Sequence, residues 1–309
     1  MRALFSTPPQ RPPDAMSGFT ADQAEGLRRL LGRDQLRVIA VASGKPRVGQ
    51  TNVVINLAHT LAAQGKSVLI LDEGIGNDSC AARLGLLTRC ELAQVLNDQA
   101  TLPQALLAYS STLHVLPARE GLRRIGQFNS TAHERLRRSL SALPLQPDIL
   151  LIDLAADRRQ FTLAATAAAD EIVVVMNPER EASTLTYALI KQLSQEFGRR
   201  RFYLITAKTK DDSYAAVLSG NMLEAASRYL RVQIEGLGVI PWDASVKHAN
   251  KCFKPVVEAF PDTPASHAYR ALGQMIASWP MMRENSGHLD GFIQRLIMSC
   301  RTKELTLRV

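Results

Sequence analysis

The sequence predicts an α/β protein in which a doubly wound, mostly parallel sheet carries helices on both faces. From Leu36 onward, short runs of Val, Ile and Leu alternate with segments of helical periodicity. The runs are almost continuously apolar, which is typical of strands that are covered on both faces of a parallel sheet. Loops rich in Gly and Asp follow several runs, and such folds bind ligands at the carboxyl ends of their strands.

The chain divides into three predicted regions. Residues 1–33 hold a proline-rich lead and a short helix with Thr20 as its N-cap, residues 34–282 hold the sheet, and residues 283–309 form an amphipathic tail. The expected strands are "LRVIAVA", "SVLILD", "LHVLP", "DILLID", "EIVVVM", "RFYLIT" and "VQIEGLGVIP". The expected helices include 51–64, 131–142, 181–197, 211–230 and 265–279.

Composition narrows the class of protein. With 309 residues and 46% hydrophobic content the chain can bury a large core, and no run of about 18 uncharged apolar residues predicts a membrane span. The N-terminus lacks the apolar stretch of a secretory signal. The four cysteines form no CxxC pair, which argues against a zinc site or a disulfide framework and fits a reducing cytosol.

The net charge of +8 is compatible with nucleic acid or an anionic membrane surface as a partner. The basic residues occur in short clusters such as "GLRRLLGR" and "HERLRRSL", without aromatic residues between them. This pattern favours solvated helix faces over a nucleic-acid-binding patch.

A loop between the first strand and the first long helix has the features of a phosphate-binding loop. It reads "SGKPRVGQT", and Gly44, Lys45, Gly49 and Thr51 stand where such a loop needs them. Backbone N–H groups of this kind of loop cradle phosphates, and the hydroxyl that opens the helix binds Mg²⁺.

Three residues of the same loop depart from this plan. Pro46 removes an N–H donor and fixes φ. Arg47 places a bulky side chain where glycine permits close approach of a phosphate. Gln50 stands in the place of the loop lysine and cannot supply its charge. The loop is therefore altered at its most informative position.

The segment "SGKPRVGQTNVVINLA" resembles the deviant Walker A loop of the MinD/ParA ATPases, roughly SGKGGVGKTN. Ordered matches to that family, such as "DILLIDLAAD" and "GLGVIPWDASVKHA", continue through residues 36–280. The resemblance implies ATP or ADP with Mg²⁺ as ligand, and a homodimer in which Lys45 reaches the partner's nucleotide. The implied nucleotide-binding residues are Gly44, Lys45, Arg47, Val48, Gly49, Gln50, Thr51, Asp72 and Asp153, with Thr51 as the magnesium ligand.

The departures from the family fall on catalytic positions. The first switch, Asp-x-Asp in the family, ends here in Gly74, and Glu73 beside it should point to the opposite side from Asp72. The second switch loses its glycine and has Ala156, and the adenine-reading asparagine corresponds to Ala207. Several losses in one pocket predict a pseudo-ATPase that has lost hydrolysis, with nucleotide binding left open. The degenerate catalytic positions are Gln50, Gly74 and Ala156.

The segment "DQAEGLRRLL", residues 22–31, resembles the DQAxxLR motif of the flagellar number regulators of the FlhG (FleN) type. The resemblance implies that this arm docks as a short helix on the signal-recognition-type GTPase FlhF and stimulates its GTP hydrolysis. It also implies contacts with a flagellar transcription regulator and with switch-complex proteins. The matching positions are Asp22, Gln23, Ala24, Leu27 and Arg28. The alternative is an amphipathic helix packed on its own domain.

The C-terminal segment "HLDGFIQRLIMSCR" carries one apolar stripe at helical spacing, with Arg295, Arg301 and Lys303 beside it. Such a helix suits an anionic membrane surface, and the family resemblance implies a protein of the cytoplasm that sits peripherally at the inner membrane, including the cell pole. The alternative is that the stripe covers a groove of the protein itself. The stripe residues are Leu289, Phe292, Ile293, Leu296, Ile297 and Cys300.

Three functions follow from these features. The first is a flagellar regulator that acts mainly by binding, and the second is a working MinD/ParA-like ATPase switch that dimerises on ATP. The third is a partitioning protein that holds DNA on its positive surface. The "DQAEGLR" arm and the membrane-type tail favour the first function over the third.

Overall fold

The computed structural model describes residues 36–143, 146–156, 160–280 and 289–306. The proline-rich lead and the arm at residues 22–31 lie outside the described residues. Within them the chain forms one eight-stranded sheet in the order β3-β4-β2-β5-β1-β6-β7-β8, parallel except for the β3–β4 pair. The strands are β1 (Arg37–Ala42), β2 (Val68–Asp72), β3 (Leu107–Ala108), β4 (Leu113–Pro117), β5 (Ile149–Asp153), β6 (Glu171–Met176), β7 (Arg201–Thr209) and β8 (Gln233–Pro241).

The doubly wound, mostly parallel sheet that the sequence predicts is thereby confirmed. Each expected strand is present, and only β3 has no counterpart among them, because two residues are too few to produce an apolar pattern. The long helices are α1 (Gln50–Ala63), α6 (Ser130–Ser141), α8 (Arg180–Phe197), α9 (Asp212–Leu230), α12 (Pro264–Ala277) and α13 (Leu289–Thr306).

Seven further helices are short, and the sequence pattern did not predict them. A helix of one or two turns shows too few periodic positions to be recognised. They are α2 (Cys80–Arg83), α3 (Leu92–Leu96), α4 (Leu102–Ala105), α5 (Arg119–Arg124), α7 (Gln160–Ala168), α10 (Ala244–Lys251) and α11 (Val256–Ala259) among the described residues.

Helices cover both faces of the sheet and produce two apolar clusters. Successive residues of β1 alternate between them, so Ile39 and Val41 join α1 and α12 on one face. Val38 and Ala40 join α6, α8, α9 and α13 on the other face. This double cover explains why the strands read as continuous apolar runs.

Strands β2, β5 and β1 are neighbours in the sheet, so the loops at their carboxyl ends meet. Asp72 at the end of β2 is in register with Asp153 at the end of β5, and Val41 of β1 is in register with Asp153 on the other side. The loop that follows β1 therefore lies beside both aspartates, as expected for a ligand site in this kind of fold.

Helix α13 packs on the protein's own core. Phe292 and Leu296 are each 1% exposed, and their cluster includes residues of α6 and α7. Across the part of the chain that the structure describes, we find no helix with the length and apolar character needed to cross a bilayer.

Candidate functional site

The loop that joins β1 to α1 has the shape of a phosphate-binding loop despite its substitutions. Gly49 precedes α1 with a φ of 110°, and Arg47 has a left-handed φ of 65° that costs a non-glycine residue about 1–2 kcal/mol. Gly44 lies against α8, where a Cβ atom would come within 2.4 Å of the Leu185 carbonyl. Glycine is therefore required at position 44, whereas Arg47 keeps a conformation that suits glycine better.

Gln50 makes its hydrogen bonds within the chain. Its side-chain amide donates to Asp153 Oδ1 at 2.6 Å and to the carbonyl of Leu154. Gln50 and Asp153 are 8% and 2% exposed, so each buried group meets part of its need for hydrogen bonds through the other. The residue that replaces the loop lysine thus fastens the loop to the end of β5.

Asp153 is a carboxylate with a raised pKa. Burial first and the nearby Asp72 second raise that pKa to about 6, although hydrogen bonds from Gln50, Thr51 and Cys80 oppose the shift. The Cys80 thiol donates to Asp153 Oδ2 at 3.3 Å, and burial raises the pKa of that thiol well above its usual value. Ligand atoms of Asp72, Cys80 and Asp153 lie within 4.8 Å of one another, close enough to share a metal ion.

Asp72 and Glu73 point to opposite sides of β2, as predicted. Asp72 accepts hydrogen bonds from the backbone N–H groups of Ala81 at 3.0 Å and Gly74 at 2.9 Å. Glu73 Oε2 accepts from the Ala155 N–H at 2.7 Å, so its carboxylate supports the loop after β5. Neither carboxylate replaces the missing second aspartate of the switch.

Gly74 occupies a place that has no room for a side chain. A Cβ atom there would lie 2.5 Å from Ser79 Cα and 2.8 Å from Asp72 Oδ1. The backbone around Gly74 packs too closely to leave space for a side chain. A carboxylate at this position would therefore require the loop to move, and could not be introduced by a simple exchange of side chains.

Lys45, the residue expected to reach a partner's nucleotide, pairs within its own chain. Its ammonium group contacts Glu179 Oε2 at 2.7 Å and also Glu181, both at the start of α8. Glu179 first and Glu181 second raise the pKa of Lys45. According to the family resemblance, the Lys45 ammonium group would reach the nucleotide of a second subunit. Here it pairs with two acidic residues of its own chain.

A cleft of about 1050 Å³ opens over this loop. Of the predicted nucleotide-binding residues, Lys45, Arg47, Gly49, Gln50, Thr51 and Asp153 line it, together with the degenerate positions Gly74, Ala156 and Ala207. Gly44, Val48 and Asp72 are not among its lining residues, although each lies in the surrounding shell. Thr51 contacts Asp153 and remains the residue that would hold Mg²⁺.

Sequence reasoning missed several basic residues of the cleft. Lys208 sits at an irregularity of β7 with a φ of 61° and donates to the carbonyl of Arg47. Burial lowers its pKa. Lys208 directly follows Ala207, the position expected to read the adenine base. This neighbouring place in the sequence is the signal that could have identified Lys208 as a residue of the cleft. The other missed basic residues are Arg83, Arg119 and Lys247.

The predicted partner-binding residues Asp22, Gln23, Ala24, Leu27 and Arg28 lie outside the described residues. The predicted membrane stripe lies within the described residues and does not face solvent. Leu289, Phe292, Ile293, Leu296 and Ile297 are all at most 9% exposed. Arg295, expected on a basic flank, turns inward and binds Asp170 Oδ1 at 3.0 Å and the Ala168 carbonyl at 3.0 Å. In this conformation the stripe covers the protein's own groove.

Comparisons with known proteins agree with this geometry. Residues 36–199 match a family described as an AAA domain. The chain is 33% identical over 271 residues to the antiactivator FleN of Pseudomonas aeruginosa, covering 88% of this chain and 97% of that protein. It is 28% identical over 235 residues to the septum site-determining protein MinD of Escherichia coli, covering 72% of this chain and 84% of MinD.

Solved structures show the same fold. MinD of Pyrococcus horikoshii, complexed with Mg-ADP, superposes with a TM-score of 0.60 at 21% identity over 79% of this chain and 96% of its own. The MinC:MinD complex of Aquifex aeolicus gives a TM-score of 0.60 at 23% identity over 82% of this chain and 100% of the matched chain.

Proposed function

The chain belongs to the AAA domain family in its MinD-like form, and on that premise we propose that it is a flagellar regulator of the FleN type that acts by binding. The observation that carries the proposal is the state of the nucleotide site. Gln50 is paired with Asp153, Lys45 with Glu179, and Glu73 with the backbone of Ala155. Each of these side chains therefore has a partner within the chain, and the Lys45–Glu179 pair is partly exposed to solvent.

Hydrolysis of ATP needs more than this site offers. The loop lysine that would neutralise phosphate charge is a neutral amide, and no carboxylate stands at position 74 to organise the attacking water. Electrostatic groups of this kind are worth several kcal/mol each in a transition state, so their joint loss lowers the rate by about 10³-fold or more. The chain is therefore proposed to be a pseudo-ATPase.

Nucleotide binding is compatible with the scaffold. The cleft keeps the left-handed turn at Gly49 and the pair Thr51–Asp153, which would hold Mg²⁺ beside a bound ADP or ATP. The metal would neutralise phosphate charge when bound. Calorimetric titration with ATP and ADP, with and without Mg²⁺, measures this directly, and Thr51→Ala should remove the Mg²⁺-dependent part of the affinity.

A working ATPase switch that dimerises on ATP is the second candidate, and the open cleft over the loop is the observation that favours it. We expect purified chain to release phosphate from ATP at the background rate. A rate that Lys45→Ala or Asp153→Ala abolishes would establish the ATPase instead.

The proposed partner of the arm is the flagellar GTPase FlhF. The proposal is supported by the "DQAEGLR" motif and by the similarity to FleN, whose name as an antiactivator adds a transcription activator as a further partner class. Full-length chain should stimulate GTP hydrolysis by FlhF, and Leu27→Ala with Arg28→Ala should remove the stimulation. The matched control is Arg29→Ala, a basic neighbour outside the motif, which should leave it unchanged.

Contact with the inner membrane through α13 requires that helix to leave its groove. The stripe is apolar enough for an interface, but Phe292 and Ile297 now contribute to the core. We propose that the chain works peripherally at the cytoplasmic membrane face with α13 exchanging between core and lipid. If Phe292→Glu with Ile297→Glu leaves liposome binding intact, α13 is not the anchor.

A further inference from the structure

Phe253 is an exposed residue whose backbone conformation is unfavourable for any residue with a Cβ atom. It follows Cys252, the C-cap of α10, with a φ of 56°, and 56% of its surface is exposed. Glycine is the usual residue at this position of a helix end, because a Cβ atom is disfavoured in the left-handed region. A bulky residue that is strained and gains little burial indicates a role outside the protein's own core.

A second apolar side chain projects close by. Leu87 is 81% exposed and lies two residues beyond Gly85, itself left-handed with a φ of 69°. A Cβ atom at Gly85 would come within 3.0 Å of Phe253 Cβ, so the glycine lets the two segments meet. Phe253 and Leu87 therefore lie on two neighbouring segments, and both side chains are largely exposed.

Basic residues occur in the two segments that carry these side chains. Residues 84–90 and 244–254 contain Arg89, Lys247, Lys251 and Lys254 and include no Asp or Glu. Lys247 and Lys251 are exposed and one turn apart, so they share a face of α10. Lys254 pairs with Glu258 at 2.8 Å, which leaves the remaining charges of this surface positive.

We propose that the Phe253 surface, formed by Leu87, Arg89, Lys251 and Phe253, contacts an anionic lipid bilayer. Lys247, one turn before Lys251, lines the cleft over the phosphate loop and is not counted as part of this surface. Protruding apolar side chains ringed by lysine and arginine match an interface where apolar tips enter the acyl boundary and ammonium groups meet lipid phosphates. A protein partner would need an acidic pocket that receives two projecting side chains. The exposure of both apolar side chains, together with the basic residues of their segments, favours the lipid surface.

This contact goes beyond the proposed function because it does not use α13. The apolar stripe of α13 is buried on the opposite face of the sheet, in the cluster that contains Phe292. The Phe253 surface adjoins the cluster on the other face, which contains Val256 and Val257. The folded core thus has a membrane contact of its own while α13 remains packed.

Insertion can be measured at the residue itself. Full-length Phe253→Trp is mixed with vesicles of phosphatidylglycerol and phosphatidylcholine in equal parts that carry brominated acyl chains. Fluorescence should be quenched beyond the level of the unmodified chain, whose Trp242 and Trp279 give the baseline. The matched control is Tyr229→Trp, an aromatic position that is 69% exposed on α9, which should show no added quenching.

Binding should fall when the surface is removed. Phe253→Gly with Leu87→Ser should weaken vesicle affinity by about tenfold or more, and glycine suits the backbone at position 253, so folding is preserved. Arg89→Gln with Lys251→Gln should weaken it by about tenfold through lost attraction to anionic lipid. Val217→Ser with Tyr229→Ser, an equally exposed pair on α9, should change nothing.

Three results overturn the proposal. These are no added quenching in the Phe253→Trp chain, unchanged affinity after Phe253→Gly with Leu87→Ser, or failure of the unmodified chain to bind anionic vesicles, which would favour an acidic protein as the occupant. Stimulation of GTP hydrolysis by FlhF is measured separately for the same variants. If these variants lose that stimulation, the result counts against the proposed role of the arm and does not affect the proposed lipid contact.

Discussion

Gln50 and Gly74 show how two single residues change the contacts within the nucleotide site. The Gln50 amide holds Asp153, and the backbone at Gly74 packs against Ser79 where a carboxylate would be needed. A neutral amide can satisfy a buried carboxylate without bringing a charge. The Gln50–Asp153 pair therefore serves as a structural link between the loop and β5, at a site that has neither a lysine at position 50 nor a carboxylate at position 74.

Restoring the loop lysine alone should not restore catalysis. In Gln50→Lys the ammonium group pairs with Asp153, but position 74 still lacks the carboxylate that would organise water. Phosphate release from ATP should stay at the rate of the unmodified chain. An increase above about tenfold would show that the remaining groups suffice. Asp153→Ala, measured alongside, gives the background.

Glu171 makes stability depend on pH near neutrality. Burial raises its pKa to about 7, an effect that Arg37 partly offsets, and its Oε2 atom has no hydrogen-bond partner among the described residues. Asp170 beside it raises the pKa, while Arg199 and Arg201 lower it. Because the folded state holds this proton more tightly than the unfolded state, the stability that Glu171 contributes is fully present below about pH 4.5 and is lost as the pH rises through 7.

The test of that titration is urea unfolding at several pH values. Between about pH 6 and pH 8 the unfolding free energy should fall by on the order of 1–2 kcal/mol, and Glu171→Gln should remove most of the slope. Asp153, whose pKa is about 6, contributes mainly at the lower end of the window. If Glu171→Gln leaves the pH dependence of the unfolding free energy unchanged, a group other than Glu171 is responsible for the titration.

Among the elements, α13 is the one whose sequence allowed two interpretations. Its apolar stripe predicts either an interfacial helix or a cover for the core, since both environments select the same periodicity. The packing of Phe292 against the core and the bond from Arg295 to Asp170 establish the second arrangement in this structure. Membrane contact by the stripe then becomes a question of how often α13 detaches.

Detachment of α13 can be followed by amide hydrogen exchange. Phe292→Ala removes a ring that is 1% exposed and should cost about 3–5 kcal/mol of packing, so exchange in residues 289–306 should accelerate by about 100-fold or more. Met298→Ala, 69% exposed on the same helix, is the matched control and should leave exchange unchanged. Equal rates in the two variants would show that α13 is not held by its stripe.

For the whole molecule, the sequence predicted the sheet, its long helices and a ligand site at the carboxyl ends of the strands, because continuous apolar strands and long amphipathic helices have strong periodic signals. It could not predict what the loop residues bind. Lys45 pairs with Glu179 across 134 positions, and Lys208 reaches Arg47 across 161. Such partners are set by tertiary packing, and local patterns do not encode them. The orientation of Arg295 escaped prediction for the same reason.

We propose that the chain acts by binding and does not depend on turning over ATP. This can be tested by measuring GTP hydrolysis by FlhF with saturating full-length chain, with and without ATP and Mg²⁺, for the unmodified chain and Thr51→Ala. Stimulation should be equal in all four conditions. Stimulation that appears only with ATP and is lost in Thr51→Ala would show that the chain works as an ATP-dependent switch.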